Sequence, residues 1–174
     1  METTLTRKEG KCLTFRLGSE EYGVEILKVR EIVGLMDITA VPRTSTHVRG
    51  VVNLRGKIIP VVDLRRKLGL PEVAASRENC IIIVIVRGGQ GEVLVGLLVD
   101  AVNEVLWVGE GEVDDLPDIG DSHALEFVRG LAKVRGRVVI LLDIDKVVRQ
   151  QELRGLEQLE QIVESKGTKE VSHE

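Results

Sequence analysis

The chain has 174 residues, 43% of them hydrophobic, with a formal net charge of −4 and a pI near 5.5. That length suits one domain or two small ones sharing a core, and the acidic balance supplies no summed positive field for a polyanion, which argues against nucleic acid as a partner. Phe15, Tyr22, Trp107 and Phe127 are the only aromatics, no apolar run approaches the ~20 residues of a membrane span, and the start METTLTRKEGK has no signal-peptide core, so the sequence predicts a cytoplasmic protein rich in aliphatic strands.

In chain order, YGVEILKVREIV (22–33) comes first, where Val24, Ile26, Val29, Ile32 and Val33 follow a mixed period that predicts a strand bent by a bulge. GVVNLRGKIIPVVDL (50–64) follows, two apolar runs joined at Arg55-Gly56, which predicts a tight hairpin with the glycine supplying positive φ. Pro60 cannot donate a ladder hydrogen bond and predicts an edge or a bulge. Asp63 then stands where it can cap a short helix that ends at Gly69 and is stopped by Pro71. PEVAASRE marks a boundary near 72–79, and NCIIIVIV reads as a strand buried on both faces, joined through the glycine hairpin VRGGQGEV to the next run.

From there the chain repeats itself. VGLLVDAVNEVL (95–106) matches YGVEILKVREIV at Gly23/Gly96, Val29/Val102 and Glu31/Glu104, and GLAKVRGRVVILLDI (130–144) matches the first hairpin eighty positions on at Gly50/Gly130, Arg55/Arg135, Gly56/Gly136 and Asp63/Asp143. Asp143 or Asp145 is the matching helix cap, and the longer spacing in the second copy falls in GEGEVDDLPDIGDSHALEF, an exposed loop. Short strands with frequent turn signals in two copies predict two small β-barrels or a sandwich. After Val148, Leu153, Leu156, Leu159, Ile162 and Val163 predict an amphipathic helix over 151–165, weakened by Gly155, that packs on the domain or meets a partner; 166–174 reads as a disordered tail.

Reactive centres are scarce. His47, His123 and His173 have no metal-binding spacing, and Cys12 and Cys80 form no CxxC, so they read as reduced thiols, and no metal or cofactor is expected. GGQG is followed by a strand and lacks the lysine of a phosphate loop. Two alternatives remain: a small hydrolase using an Asp63/Asp143 pair, and a basic-patch nucleic-acid module built on Arg49, Arg55, Lys57, Arg65, Arg66 and Lys67. The first pair lacks the small residues that let such carboxylates meet, and a solvated face explains the second.

FRLGSEEYGVEILKVREIV, ITAVPRTSTHVRGVVNLRGKIIPVVDLRRKLGL and VGLLVDAVNEV together resemble, in this order, the CheW family of bacterial chemotaxis coupling proteins, over about residues 13–150. The resemblance implies a mainly β fold of two five-stranded barrels of the Src-homology-three kind, related by pseudo-twofold symmetry, with a hydrophobic groove between them. The approximate halves are 13–71 and 80–148, and the block order is compatible with barrels that divide cleanly or that exchange a terminal strand. It implies an adaptor, not an enzyme, joining the cytoplasmic hairpin tip of a chemoreceptor to the regulatory domain of the histidine kinase CheA, beneath receptor clusters at the inner face of the membrane and without inserting into it.

Carried over from that family, the partner-binding positions are Val29, Glu31, Ile32, Gly50, Arg55, Ile81, Ile82, Gly96, Val102 and Val105. Gly50 and Gly96 also suit a purely backbone role, and Val29, Ile81, Ile82 and Val102 a place in the core. Arg55 stands foremost, because a turn needs no long cationic side chain to fold, and Glu31 comes second. Trp107 departs from the family pattern and reads as an exposed anchor or a barrel lid; Lys133 for Asn53 and Ile140 for Pro60 set the second hairpin apart from the first.

Overall fold

The computed structural model describes residues 10–42, 44–88, 91–116 and 126–148. The helix expected over 151–165, the tail 166–174, His123 and His173 lie outside the described residues. Within them the chain runs β1 (Gly10–Leu17), β2 (Glu20–Glu25), β3 (Val29–Gly34), β4 (Val48–Leu54), β5 (Lys57–Asp63), α1 (Leu64–Lys67), β6 (Cys80–Gly88), β7 (Gly91–Val99), β8 (Ala101–Val108), β9 (Val113–Asp114), β10 (Val128–Val134), β11 (Arg137–Leu142) and α2 (Ile144–Val147).

One sheet has the order β3-β6-β7-β5-β4, and the other β8-β1-β2-β11-β10 with the two-residue β9 added at its end. Strand for strand these are one pattern: β6–β7 and β1–β2 are antiparallel hairpins, β5–β7 and β2–β11 are parallel, and β4–β5 and β10–β11 are antiparallel again. The fold is therefore mainly β, two small barrels related by a pseudo-twofold, as the repeat predicts. We call the barrel of β3–β7 contiguous and the other split.

The halves 13–71 and 80–148 are the two copies of the repeat and do not coincide with the two barrels. The first copy gives β1 and β2 to the split barrel and β3, β4 and β5 to the contiguous one, and the second copy does the reverse. What is exchanged is a two-stranded hairpin, more than a terminal strand. For the same reason the segment 22–33 is two strands: the chain leaves one sheet at Glu25, crosses in a 3-10 turn (Ile26–Lys28) and enters the other at Val29. A bulge does follow, with the register shifting between Val29 and Glu31.

Three apolar clusters result. Val52, Ile59, Val61, Ile81 and Ile83 fill the contiguous barrel, and Cys12, Leu106, Val108, Ala132, Val134, Val139 and Leu141 fill the split one. The largest lies in the seam between the barrels, where Leu13, Phe15 and Leu17 of β1 meet Ile82, Val84 and Val86 of β6, and where Leu64 of α1 and Ile144 and Val147 of α2 are added. Alternate residues of β6 thus serve two cores, which accounts for its unbroken apolar run. Cys12 is a free thiol inside the split barrel, and its burial, followed by the charge of Glu21, pushes its pKa up to about 11.

Both parallel strand pairs close over a glycine. Gly96 lies beside Val61 and Gly23 beside Leu141; a Cβ on Gly96 would stand 2.7 Å from Ile81 Cγ2, and one on Gly23 would stand 3.2 Å from Cys12 Sγ, Leu141 Cδ2 and Val139 Cγ1. Gly50 serves a different approach. It adopts φ 150°, and a Cβ there would sit 2.1 Å from the carbonyl oxygen of Thr39, whose backbone makes a two-bond bridge to Val51.

Local signals mostly fold as read. Asp63 Oδ1 accepts the amides of Arg65 (3.0 Å) and Arg66 (3.3 Å) at the start of α1, and Asp143, not Asp145, caps α2 by accepting the Asp145 amide (3.1 Å). Gly69 takes φ 74° just beyond α1. Pro60 follows one of its two expectations: β5 is not an edge strand, being paired with β4 along its length and with β7 from Val61 to Asp63, but the β4–β5 register does shift beside the proline, between Val48 and Gly50. The proline is tolerated because it stands one residue before the second ladder begins. The loop after β8 is also less irregular than expected, since Glu110–Glu112 form a 3-10 turn and β9 pairs with β10.

Two measurements follow from this packing. Gly96→Ala should destabilise the chain by about 1–3 kcal/mol in denaturant unfolding, because the inserted methyl meets Ile81 in a filled barrel; an unchanged midpoint would mean that the parallel strands have room to move apart. Asp100, between β7 and β8, is held below its ordinary pKa of 3.8 first by hydrogen bonds from Arg65, against the opposing effect of burial, and then by the Gly18 amide. A depressed folded-state carboxyl adds stability above 3.8 that is lost as pH falls through that value toward the folded-state one. Asp100→Asn should therefore flatten the fall in melting temperature across this acid range, and an unaltered profile would place the acid sensitivity elsewhere.

Candidate partner-binding surface

The first hairpin turns through two residues of positive φ, Arg55 at 52° and Gly56 at 85°, the mirror-image turn that matches strand twist. Glycine or asparagine is favoured at the first of these positions, and an arginine there carries a backbone cost of roughly 1–2 kcal/mol. Asn53 Oδ1 accepts the Gly56 amide (2.8 Å) and holds the turn in place. The Arg55 side chain is 70% exposed, and its guanidinium donates to Glu31 of β3, so the two foremost candidates form one ion pair at the end of the contiguous barrel.

Beyond the bulge in β3, Ile32 pairs with Ile82 and so shares its face toward the seam, yet Ile82 is fully buried and Ile32 is 43% exposed. The split barrel repeats this arrangement. Val105 pairs with Leu13, which belongs to the seam core, and is itself 51% exposed. Here too a bulge intervenes between Val102 and Val105; the Thr14 hydroxyl fills it, donating to the Glu104 carbonyl (3.1 Å) and accepting the Glu104 amide (3.2 Å). Ile32 and Val105 occupy equivalent places in the repeat, one on each side of the seam.

The remaining candidates all take part in packing or close backbone approach. Ile81 and Ile82 are fully buried, one inside the contiguous barrel and the other in the seam, so as packing residues they present no surface to a partner. Gly50 and Gly96 are buried at close backbone approaches, and Val29 and Val102 pack against the seam core while half-buried. Trp107 was not among the carried-over positions, but it is 59% exposed, on the face of β8 shared with Val105 and opposite Leu106 and Val108. It is an outward side chain and not a lid.

The groups that a hydrolase or a basic patch would need are engaged locally. Asp63 is buried, caps α1 and also meets Arg49 (3.3 Å), while Asp143 caps α2. Arg65 pairs with Asp100, Arg66 with Glu72 (2.9 Å), and Lys67 lies 5.4 Å above the Phe127 ring. The four arginines of the basic cluster, Arg49, Arg55, Arg65 and Arg66, each pair with a neighbouring acid. Among the described residues, no group of three or more His, Cys, Asp or Glu side chains is placed to hold a metal ion.

The second hairpin keeps the backbone of the first, with Arg135 at φ 53° and Gly136 at 76°, but its contacts differ: Lys133 reaches Asp114 (2.6 Å), and Arg137 reaches Glu21 (3.1 Å) and Glu104 (3.7 Å).

Comparison with known proteins agrees with this geometry. The CheW-like domain model matches residues 11–152. The chemotaxis protein CheW of Klebsiella aerogenes is 38% identical over 141 residues, covering 81% of this chain and 82% of that relative, and that of Rhizobium meliloti is 35% identical over 148 residues, covering 85% and 93%. The crystal structure of the scaffolding protein TtCheW from Thermoanaerobacter tengcongensis superposes with a TM-score of 0.72 at 35% identity, over 83% of this chain and 97% of that one. With the match running through both copies of the repeat and across both barrels, the chain belongs to the CheW family of chemotaxis proteins.

Proposed function

We propose that this chain is a chemotaxis adaptor, without catalytic turnover, that couples the cytoplasmic hairpin tip of a chemoreceptor to the regulatory domain of the histidine kinase CheA, and that it works in the cytoplasm at receptor clusters. The observation that carries this reading is the pair Ile32 and Val105, two exposed aliphatics at equivalent positions flanking one apolar seam. A receptor tip is helical, and an apolar helix face laid along the seam meets both side chains at once. Among the described residues, no helix is long and apolar enough to cross a membrane.

The kinase contact belongs at the end of the contiguous barrel, around Arg55 and Glu31. Arg55 is 70% exposed at the tip of its hairpin, where its planar guanidinium can reach a partner, and this exposure together with the Glu31 pair supports the assignment. Exposed ion pairs add little to stability, so the Arg55–Glu31 pair is better understood as orienting Arg55 than as holding the barrel.

Calorimetric titration separates the two contacts. Arg55→Glu should weaken binding to the kinase regulatory domain by about tenfold or more, roughly 1.4 kcal/mol, and leave the receptor tip unaffected. Ile32→Asp combined with Val105→Asp should do the opposite. Wild-type binding by both variants to both partners would show that neither surface is a docking site, and no binding by the folded wild type would remove the adaptor reading itself. Arg55→Asn adds a second discriminator: it should raise stability by roughly 1 kcal/mol, because asparagine tolerates positive φ, while still weakening the kinase contact.

A further inference from the structure

Among the described residues the chain crosses between the barrels twice, at Ile26–Lys28 from β2 to β3 and at Asp100 from β7 to β8. A short helix of the repeat lies beside each crossing, α2 at the first and α1 at the second. Arg65 of α1 and Asp145 of α2 stand eighty residues apart, at equivalent positions, and each pairs with a charged residue of the crossing it faces. Arg65 donates from Nε (2.8 Å) and Nη2 to the two carboxylate oxygens of Asp100; Lys28 Nζ donates to Asp145 Oδ2 (2.9 Å).

The likeness extends to a third group. Asp100 Oδ2 accepts the amide of Gly18 (2.7 Å), and Asp145 Oδ1 accepts that of Arg87 (3.1 Å). Aligning β1 with β6 through Leu13 and Ile82, the partners of Val105 and Ile32, makes Gly18 and Arg87 equivalent as well. One latch is thus built twice: a carboxylate, a cation and a backbone amide of the opposite hairpin, in the turn at Gly18 and near the end of β6 at Arg87. Its ends are exchanged, with the carboxylate on the crossing in one latch and on the helix in the other. The crossing residues differ by a single position, since Asp100 aligns with Leu27, next to Lys28.

Neither pair is a loose surface contact. The side chains of Arg65 and Asp100 are 13% and 18% exposed, and those of Lys28 and Asp145 are 26% and 34%. Asp100 gathers further bonds from the split barrel and from the segment between α1 and β6: its amide donates to the Arg16 carbonyl (3.1 Å) and its carbonyl accepts Asn79 Nδ2 (3.0 Å), while Arg65 Nη1 reaches the Pro71 carbonyl (2.8 Å) of that same segment. The seam core beneath is aliphatic apart from Phe15, Tyr22 and Phe127, and apolar contact is non-directional, so it brings the barrels together without selecting the angle between them. Directional, charge-assisted hydrogen bonds do select it.

We propose that Arg65–Asp100 and Lys28–Asp145 are two positioning pairs that fix the orientation of one barrel against the other, and thereby the placement of Ile32 and Val105 across the seam. The consequence for partner binding rests on the adaptor reading; the orientation itself does not.

The test is residual dipolar coupling of backbone amides in the full chain. Couplings from both barrels of the wild type should fit one alignment frame with the orientation seen here. Arg65→Asp, which sets two carboxylates against each other, should break that common fit, and Arg65→Asp with Asp100→Lys, which gives this latch the polarity of the other, should recover it. Couplings unchanged in Arg65→Asp, or a double variant no better than the single one, would overturn the proposal. If Arg65→Asp does not fold, Arg65→Gln takes its place and is judged by the same fit, again with unchanged couplings counting against the idea. Receptor-tip affinity, measured on the same proteins, should fall by about tenfold when the orientation is lost and return with it. Wild-type affinity in a variant with displaced barrels would overturn the link to binding, whereas failure of the wild type to bind the tip would count against the adaptor reading and leave the coupling result intact.

Discussion

The two central strands of this molecule, β1 and β6, must bury apolar side chains on both faces. β1 and β6 each line one barrel with one set of side chains and the seam with the other: Cys12 against Leu13, Ile81 and Ile83 against Ile82 and Val84. The seam therefore adds a third core that neither barrel could form alone, which matters for barrels this small, whose separate interiors hold only a handful of aliphatics. The crossing hairpins, the short helices α1 and α2 and the exposed rim of the seam all take their places around that shared burial.

Much of this is legible in the sequence. The repeat, both Arg-Gly hairpins, the Asp63 cap and the two-sided burial of β6 follow from local chemistry: turn geometry, an acceptor ahead of a helix, an unbroken Val/Ile run; the second cap is legible only as Asp143 or Asp145, between which the structure selects Asp143. The crossings were not legible, because Ile26–Lys28 continues the aliphatic spacing of its neighbours and nothing in its composition says that the next strand belongs to another sheet. The edge reading of Pro60 fails for a related reason. Its missing donor argues for an edge or a bulge, and a register shift does lie beside it, but whether a strand acquires a second neighbour one residue later is decided by tertiary pairing.

The candidate site divides along the same line. Glu31, Ile32, Arg55 and Val105 reach the surface, whereas Ile81 and Ile82 are interior and Gly50 and Gly96 serve close backbone approach. Family positions carried over from a sequence mix residues that touch partners with residues that hold those in place, and a hydrophobic side chain looks the same in either role. A bulge decides it here: one extra residue in β3 and another in β8 bring Ile32 and Val105 onto the seam face at its exposed margin. Periodicity hinted at the first bulge but carried no sign of which residue it would turn outward.

The polarity of the two latches bears on how such a chain avoids assembling with the wrong half of itself. Both cations, Lys28 and Arg65, come from the first copy of the repeat, and both carboxylates, Asp100 and Asp145, from the second. Two first copies brought together in the same geometry would set Arg65 against Lys28, and two second copies would set Asp145 against Asp100. Opposite charge at two matched positions makes the pairing of a first copy with a second favourable and the pairing of like copies repulsive.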